Sequence, residues 1–390
     1  MSELAILGIS AGILLLAGLW PFGPYQLSLL AARRLGRFPA APARQGSGPE
    51  TFAVCLCAYN EAAVIEQKLA DLLRLRAAAG GELQILVYVD AATDGTAEIA
   101  RRYADRIELI VSTERRGKTF GMNQLVLRAR ASVVIFTDAN VLVDPSAIAV
   151  LRRYFADPGV GCVCSDLTYV NAAGSATATV GSRYWRLNEW TKGLESATGS
   201  VIGADGSLFA IRRELHEPVP KGLFDDLYVS LVVLLRGYRV VRAPEFKAYE
   251  THTTQPGDEF RRKIRIGCEC MHVHLTLWPR LRALDAWTLS KYLAHRLMRW
   301  LSGYLLGLSA LFTLVALALA VGPLPVALAL AIAAVAFSIC CHMHLRAALL
   351  AWNAALAFVG TGIGVWQALR GRRAVTWDAA ETTRQMPVVQ

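Results

Sequence analysis

Four long apolar segments constrain this chain more than any other feature of its sequence. One covers residues 4–30, and the other three cover residues 300–321, 324–341 and 347–366. An apolar helix of about 20 residues is long enough to cross the hydrocarbon core of a bilayer. The sequence therefore predicts an integral membrane protein with about four transmembrane helices.

Composition and charge agree with a membrane protein. Hydrophobic residues make up 54% of the 390 residues, and the mean hydropathy of +0.36 is too high for an ordinary soluble protein. The net charge of +10 suits either nucleic acid or an anionic membrane surface. Because the apolar segments favour the membrane, we expect an anionic bilayer as a partner and no nucleic acid.

Arginines beside the apolar segments indicate orientation, because Lys and Arg are enriched on the cytoplasmic side of a membrane. Arg33 and Arg34 follow the first segment, and no Lys or Arg precedes it. We therefore predict that residues 1–32 form one tilted anchor helix with its carboxyl end in the cytoplasm, followed by a linker at residues 33–50. Four full crossings would put the tail at residues 370–390 outside, whereas Arg370 favours the cytoplasm, so the side of the tail stays open.

Residues 51–250 have a different texture, in which short apolar runs alternate with amphipathic ones. Strand-like runs lie at residues 51–57, 84–89, 108–112 and 132–137, with helix-like runs between them at 62–79, 96–103 and 119–130. This alternation predicts an α/β domain with a parallel sheet that binds ligands at the carboxyl ends of its strands.

The segment at residues 251–299 is basic and contains several aromatic residues. This mixture is typical of amphipathic helices that lie on an anionic bilayer surface. The alternative is a basic helix that packs on the α/β domain. Residues 300–369 then hold the predicted carboxyl-terminal transmembrane helices.

Polar side chains follow the predicted strands at the points where ligands bind. Asp138 and Asn140 end the fourth strand as two oxygen ligands two residues apart, a pattern that suits Mg²⁺ or Mn²⁺ when a diphosphate completes the shell. Asp90 ends the second strand, where its carboxylate can accept hydrogen bonds from a base or ribose. Lys118 starts a helix after Gly117, which suits a diphosphate.

Two further groups have a structural as well as a functional interpretation. Tyr59, Asn60 and Glu61 end the first strand and can face a nucleotide, although Asn60 and Glu61 can also cap the next helix. Asp225 and Asp226 open another helix, where one carboxylate can act as a general base. The alternative is a cap with a favourable dipole interaction, worth under about 1 kcal/mol at a surface.

Taken together, these motifs closely resemble family 2 glycosyltransferases of the GT-A fold, and most of all the membrane-anchored branch of bacterial exopolysaccharide and capsule assembly. The motifs are Ala58-Tyr59-Asn60-Glu61, Asp90, Asp94-Gly95-Thr96, Gly117-Lys118, Asp138-Ala139-Asn140 and Asp225-Asp226, with Gly203-Ala204-Asp205-Gly206 and Phe260-Arg261-Arg262-Lys263-Ile264-Arg265 as further matches. The resemblance implies a GT-A (Rossmann-like) catalytic domain at residues 51–250 on the cytoplasmic side of the bacterial inner membrane.

The resemblance also implies roles for single residues. Tyr59, Asn60, Glu61 and Asp90 would contact the nucleotide, Lys118 and Asp138 the diphosphate, Asp138 and Asn140 the metal, and Asp205 and Gly206 the acceptor or its phosphate. Asp226 would be the base of a single displacement that inverts the anomeric carbon, with Asp225 beside it where this family often has Glu.

Two departures from the family pattern bear on function. Asn140 stands where a second metal-motif Asp is usual, which removes one negative charge. Processive cellulose, chitin and hyaluronan synthases carry a Gln-x-x-Arg-Trp motif, whereas Arg262 to Ile266 stand here. Arg262 and Arg265 can still bind phosphate, which suits a polyprenyl-pyrophosphate acceptor.

We therefore expect transfer of a single sugar from a nucleotide-sugar, with a UDP-sugar as the expected donor, to a lipid-linked saccharide or other glycan. A processive polysaccharide synthase is the alternative, and an inactive membrane scaffold is the remote one.

Overall fold

The computed structural model describes residues 2–36, 51–170, 176–251, 255–373 and 387. Most of the predicted linker at residues 33–50 and most of the predicted tail at residues 370–390 lie outside these ranges. The described part consists of an α/β body, an amino-terminal pair of helices and a carboxyl-terminal group of long helices.

Within the described residues, eight strands form one mixed sheet in the order β3-β2-β1-β4-β7-β6-β8-β5. The strands are β1 Phe52–Ala58, β2 Leu83–Asp90, β3 Glu108–Ser112, β4 Val133–Thr137, β5 Leu142–Val143, β6 Val160–Tyr169, β7 Leu208–Arg212 and β8 Arg239–Glu250. The first four strands are parallel, as the sequence predicts. Strand β7 runs antiparallel to β4 and β6, and β5 runs antiparallel to β8, so the second half of the sheet is mixed.

The helices of the body cover both faces of this sheet. They are α3 Ile65–Ala78, α4 Thr96–Arg101, α5 Lys118–Arg128, α6 Ala147–Phe155, α7 Ala176–Ala197 and α8 Asp225–Leu235. Side chains alternate across β1 because successive residues of a strand point to opposite faces. Cys55 and Cys57 join the core that includes α5 and α8, while Val54 and Leu56 join the core that includes α3 and α6.

The amino-terminal apolar segment forms two helices rather than the single tilted helix that its sequence suggests. Helix α1 covers Glu3–Leu19, a 3-10 turn covers Trp20–Phe22, and α2 covers Pro24–Arg34. Pro21 and Pro24 interrupt the helix because proline lacks a backbone N–H. Helix α2 then buries Leu29 against Leu194 of α7, so the second half of the segment packs on the body.

Among the described residues, four helical stretches are long and apolar enough to cross a membrane, as the sequence predicts. They are Glu3–Phe22, Ala286–Val321, Pro323–His342 and Arg346–Leu369. The corresponding carboxyl-terminal helices are α10 Ala286–Tyr292, α11 Met298–Val321, α12 Pro323–His342 and α13 Arg346–Leu369.

Helix α10 continues into α11 through a π-helical turn at Leu293–Leu297, so the second candidate span begins within the segment predicted to lie on the bilayer surface. Two of its cations instead contact the body. Lys291 donates to the carbonyl of Ser200 at 2.6 Å, and Arg296 donates to the carbonyl of Ile202 at 2.6 Å.

The rest of that basic segment is helix α9, Pro256–Leu281, which packs closely on α13. Glycines permit the approach: a Cβ at Gly364 would overlap the carbonyl oxygen of Ile264, and one at Gly267 would lie 2.6 Å from that of Thr361. Cys270 and Val273 of α9 are also buried in the core shared with α8. Helix α9 therefore joins the body to α13, while contact of its polar face with lipid stays a prediction.

Candidate active site

A cavity of about 1270 Å³ opens at the carboxyl ends of β1 and β4 and extends to the long apolar helices. The predicted site residues that line it are Glu61, Lys118, Asp138, Asn140, Asp205, Gly206, Asp225, Asp226, Arg262 and Arg265. Its far end, here called the membrane end, includes Phe22, Trp300, Leu350 and Phe358. The end beside Asp138, Asp225 and Asp226 is here called the donor end.

Lys118 joins two carboxylates at the donor end. Its Nζ lies 2.9 Å from Oδ1 of Asp138 and 3.1 Å from Oδ2 of Asp225. The pair with Asp225 is an ion pair whose geometry is not that of a hydrogen bond. Burial works against its positive charge, yet Asp138 and Asp225 hold the pKa of Lys118 well above its ordinary value. The strand that ends in Asp138 and the helix that starts at Asp225 thus meet at one cation.

Asp90 fixes the loop that precedes Lys118. Its two carboxylate oxygens accept hydrogen bonds from the backbone N–H groups of Arg116 and Gly117, both at 2.8 Å. Gly117 has φ +90°, a conformation that L side chains rarely adopt. In this structure Asp90 therefore positions the start of α5, and its contact with a nucleotide stays a prediction.

Tyr59, Asn60 and Asp90 lie beside the cavity rather than in its lining. The guanidinium of Arg115 stacks 3.7 Å from the centre of the Tyr59 ring. Asn60 has φ +51° and accepts a hydrogen bond from the backbone N–H of Thr93 at 2.8 Å. The ends of β1 and β2 are thereby tied together, and a planar stacked pair lies at the rim where the sequence predicts a nucleotide.

Asp226 is buried at the start of α8, next to Gly206. A Cβ at Gly206 would lie 3.0 Å from Oδ2 of Asp226, so this glycine leaves room for the carboxylate. Burial, with the nearby charges of Asp225 and Asp205, holds the pKa of Asp226 well above the ordinary value of an aspartate. A carboxylate with a raised pKa accepts a proton more readily, which suits a general base.

Asp205 is held from behind by a buried ionic network. The fully buried Lys192 pairs with both Asp205 and Glu189, and Arg242 donates to Oε2 of Glu189 at 2.7 Å. Since an unpaired buried charge is costly, the paired network holds the Asp205 side chain in place. Sequence reasoning missed Lys192 and Glu189, because nothing near them in the chain marks them as partners of Asp205.

Glu250 is a second acidic residue that sequence reasoning missed. Its Oε1 accepts a hydrogen bond from Nδ2 of Asn140 at 3.2 Å, and its Oε2 accepts one from Ser207 at 2.8 Å. Strands β5 and β8 pair Leu142 with Tyr249, which brings Glu250 beside Asn140. Burial raises the pKa of Glu250, and the charge of Asp138 adds to this effect.

The donor set at Asp138 fits a hard divalent cation. Carboxylate and amide oxygens are the ligands that Mg²⁺ and Mn²⁺ prefer, and such ions often bind through one or two carboxylates plus substrate phosphates. In the described part of the chain, no three His, Cys, Asp or Glu side chains converge as a metal cage. A site at Asp138 and Asn140 would therefore be completed by a diphosphate, with Glu250 orienting the Asn140 amide.

Arg262 and Arg265 of α9 face the cavity but have carboxylate partners. Arg262 lies 3.5 Å from Glu259 and Arg265 lies 3.0 Å from Glu269. Burial raises the pKa of Glu269 to about 7 even though Arg265 opposes the shift. The predicted binding of an acceptor phosphate by these two arginines stays a prediction.

Comparison with known proteins identifies the α/β body. The family described as Glycosyl transferase family 2 matches residues 53–219. Residues 53–219 therefore match a family 2 glycosyltransferase domain, as the motifs predict, and the α/β body has the GT-A fold. This fold is that of the glycosyltransferase class of proteins.

Two relatives are similar to part of this chain in sequence. An O-antigen chain rhamnosyltransferase of Salmonella typhimurium is 27% identical over 146 residues, which are 35% of this chain and 46% of that protein. An uncharacterised protein of Mycobacterium tuberculosis is 33% identical over 113 residues, 28% of this chain and 34% of that protein. The matches thus span only a third to a half of these relatives.

A mannosyltransferase of Pyrobaculum calidifontis, solved in complex with GDP-mannose and Mn²⁺, is similar in fold over nearly the whole chain. It has a TM-score of 0.68 and 23% identity, and the match covers 94% of this chain and 100% of that one.

Proposed function

We propose that this protein is an inverting, metal-dependent glycosyltransferase that moves one sugar from a nucleotide-sugar to a lipid-linked saccharide. A UDP-sugar is the expected donor, and the reaction takes place at the cytoplasmic face of the bacterial inner membrane. The observation that carries the proposal is the cavity. It runs from Asp138 and Asp226 to Phe22, Trp300 and Phe358. These last three residues lie in three of the four described stretches that are long and apolar enough to cross a membrane.

Asp226 has the surroundings of the base in this proposal. An acceptor hydroxyl would give its proton to the Asp226 carboxylate while its oxygen bonds to the anomeric carbon and the bond from that carbon to the diphosphate breaks. Attack opposite the leaving group inverts the anomeric centre. Two neighbours support this role. Lys192 holds Asp205 in place, and Gly206 leaves space beside the Asp226 carboxylate.

Lys118, Asp138 and Asn140 would hold the donor's diphosphate and its cation. When bound, Mg²⁺ or Mn²⁺ would offset the charge that grows on the departing nucleoside diphosphate. In the present structure Lys118 forms ion pairs with both Asp138 and Asp225. Its ammonium is therefore already within reach of the position where the diphosphate would lie.

A donor screen tests this function. The full chain in detergent, with Mn²⁺ or Mg²⁺, is offered UDP-sugars, GDP-mannose and nucleotide-linked rhamnose together with lipid-linked saccharides. We expect one donor to release its nucleoside diphosphate in step with a lipid product one sugar heavier. If no pairing of donor and acceptor gives release above that of the protein-free control, the proposed function is wrong.

Asp226→Asn tests the base. This change removes the proton acceptor but keeps the shape of the side chain, and general base catalysis contributes roughly 100- to 10,000-fold. We expect transfer to fall by that factor while nucleotide binding is retained, and the exposed Asp105→Asn variant to behave as wild type. Normal turnover by the Asp226→Asn variant would exclude Asp226 as the base.

The length of the product tests the processive alternative. If mass analysis of the wild-type product shows ladders of long glycans, it would favour a processive synthase over transfer of one sugar.

A further inference from the structure

The membrane end of the cavity contains an arginine with no carboxylate partner. Arg299 of α11 donates from Nη1 to the hydroxyl of Tyr184 at 2.8 Å and to Oδ1 of Asn188 at 3.0 Å, and both acceptors are neutral. Across the described ranges, no Asp or Glu oxygen lies within 4 Å of its guanidinium, and its buried Nε has no hydrogen-bond partner. Arg262 and Arg265 in the same cavity are paired with Glu259 and Glu269.

Cationic side chains from two helices lie beside the ring of Tyr184. The Lys263 Nζ of α9 lies 4.9 Å from the centre of its ring, and the Arg299 guanidinium carbon lies 5.3 Å from the same centre. Burial acts to raise the pKa of the Tyr184 phenol, but Arg299, Lys263 and Arg296 together hold it below its ordinary value. Lys263 shares its carboxylate, Glu259, with Arg262. The positive charge at this point is therefore not fully balanced by the protein.

The surroundings of this charge are apolar on one side. Phe22, Trp300, Leu350 and Phe358 line the same cavity as Tyr184 and Arg299. Trp300 follows Arg299 directly, in the candidate span that begins at Ala286. A ligand that fits both features carries an anionic group and a hydrocarbon chain, as a membrane lipid phosphate does.

We propose that Arg299, Lys263 and Tyr184 form a subsite for the phosphate or pyrophosphate of a membrane lipid, whose hydrocarbon chain lies along Phe22 and Phe358. The inference rests on the proposed function in taking this lipid as the anchor of the sugar acceptor. The subsite holds the phosphate at the membrane end and leaves the attached saccharide to extend towards Asp226. Arg299 and Tyr184 are binding residues here and take no part in proton transfer.

Direct binding to the full chain in detergent tests the subsite without any turnover. The probes are geranylgeranyl pyrophosphate, inorganic pyrophosphate and uncharged geranylgeraniol, measured by isothermal titration calorimetry. A hydrogen bond to a charged group contributes about 1.5–3 kcal/mol, so Arg299→Gln should weaken binding of the prenyl pyrophosphate roughly 10- to 100-fold. Lys263→Gln should weaken it less, because Lys263 already has a carboxylate partner.

Two controls separate the subsite from general effects. Arg282→Gln removes the same charge at an exposed position outside the cavity and should leave the affinity unchanged. Nucleoside diphosphate binding in the presence of Mn²⁺ and the melting temperature should stay as in wild type for Arg299→Gln. Tyr184→Phe keeps the ring and gives a second variant if Arg299→Gln does not fold; it should weaken binding of the prenyl pyrophosphate a few-fold.

Several outcomes would overturn the subsite. One is equal affinity of wild type and the Arg299, Lys263 and Tyr184 variants for the prenyl pyrophosphate. Another is inorganic pyrophosphate binding as tightly as the prenyl compound, which would mean a site for a free anion. Transfer to a lipid-linked acceptor with KM unchanged in Arg299→Gln would reject the subsite but keep the proposed function. Loss of lipid binding in Arg299→Gln, without sugar transfer in any donor screen, would keep the subsite and reject the function.

Discussion

The two ends of the cavity have opposite charge. At the donor end, Asp138, Asp225 and Asp226 converge around Lys118. At the membrane end, Arg299 and Lys263 converge on Tyr184. An acidic end suits a cation and the diphosphate it carries, whereas a basic end suits an anion directly. Under the proposed function, this difference would let a single cavity hold two phosphate groups apart, one of the donor and one of the lipid.

The two ends are also built from different kinds of element. The donor end uses strand ends and a loop whose backbone Asp90 holds. The membrane end uses side chains of three helices, α7, α9 and α11, which reach across the cavity. We therefore expect changes at the donor end to alter the rate of the chemical step and nucleotide binding, and changes at the membrane end to alter acceptor affinity.

The largest expected effect is loss of the cation at the donor end. Asp138→Ala removes the carboxylate that would bind it, and a metal contributes several kcal/mol to transition-state stabilisation, so kcat should fall roughly 1000-fold. A chelator should do the same to wild type, and added Mn²⁺ should restore wild type but not the variant. The measurement is nucleoside diphosphate release. Full activity in the presence of chelator would remove the cation from the donor end.

Lys118→Gln should have an intermediate effect. The change removes a charge-assisted contact to the diphosphate, worth about 1.5–3 kcal/mol, so kcat/KM for the donor should fall roughly 10- to 100-fold. KM for the lipid acceptor should be unchanged, in contrast to Arg299→Gln. Steady-state kinetics with each substrate varied in turn give both values. An equal rise in the two KM values would mean that the ends of the cavity are not independent.

The smallest expected effect is a loss of folding stability at low pH, caused by protonation of His216, which lies beneath the donor end. His216 is half-buried with its ring centre 6.2 Å from that of Phe136 in β4, and burial lowers its pKa to about 4. The unfolded chain, with a His pKa near 6.5, binds the proton that the folded chain rejects. Between pH 7 and pH 4 the folded state therefore loses stability as pH falls, by up to about 2 kcal/mol at pH 5.

His216→Leu tests this effect, since leucine cannot take up a proton. The midpoint of thermal unfolding should fall less between pH 8 and pH 5 in the variant than in wild type. Equal falls in the two proteins would show that other groups cause the acid sensitivity. We expect the loss of stability at low pH to affect the donor end first, because Phe136 belongs to β4, which ends beside Asp138.

Local patterns were sufficient to predict much of this molecule. The sequence alone indicated the four candidate spans, the parallel strands β1 to β4 and the polar residues at their ends. It did so because span length, strand periodicity and motif spacing are properties of neighbouring residues. The motifs of the sequence alone also indicated the family whose model matches residues 53–219.

Tertiary structure decided which distant residues meet. Strand pairing brings Glu250 to Asn140, 110 residues away, and helix packing brings Arg299 to Tyr184, 115 residues away. Lys192 reaches Asp205 only because α7 passes behind the loop that carries this carboxylate. Such contacts leave no local pattern, since they depend on the order of strands and the approach of helices. The sequence was sufficient to predict a donor site, and the fold decided what surrounds the predicted residues and how their cavity reaches the candidate membrane helices.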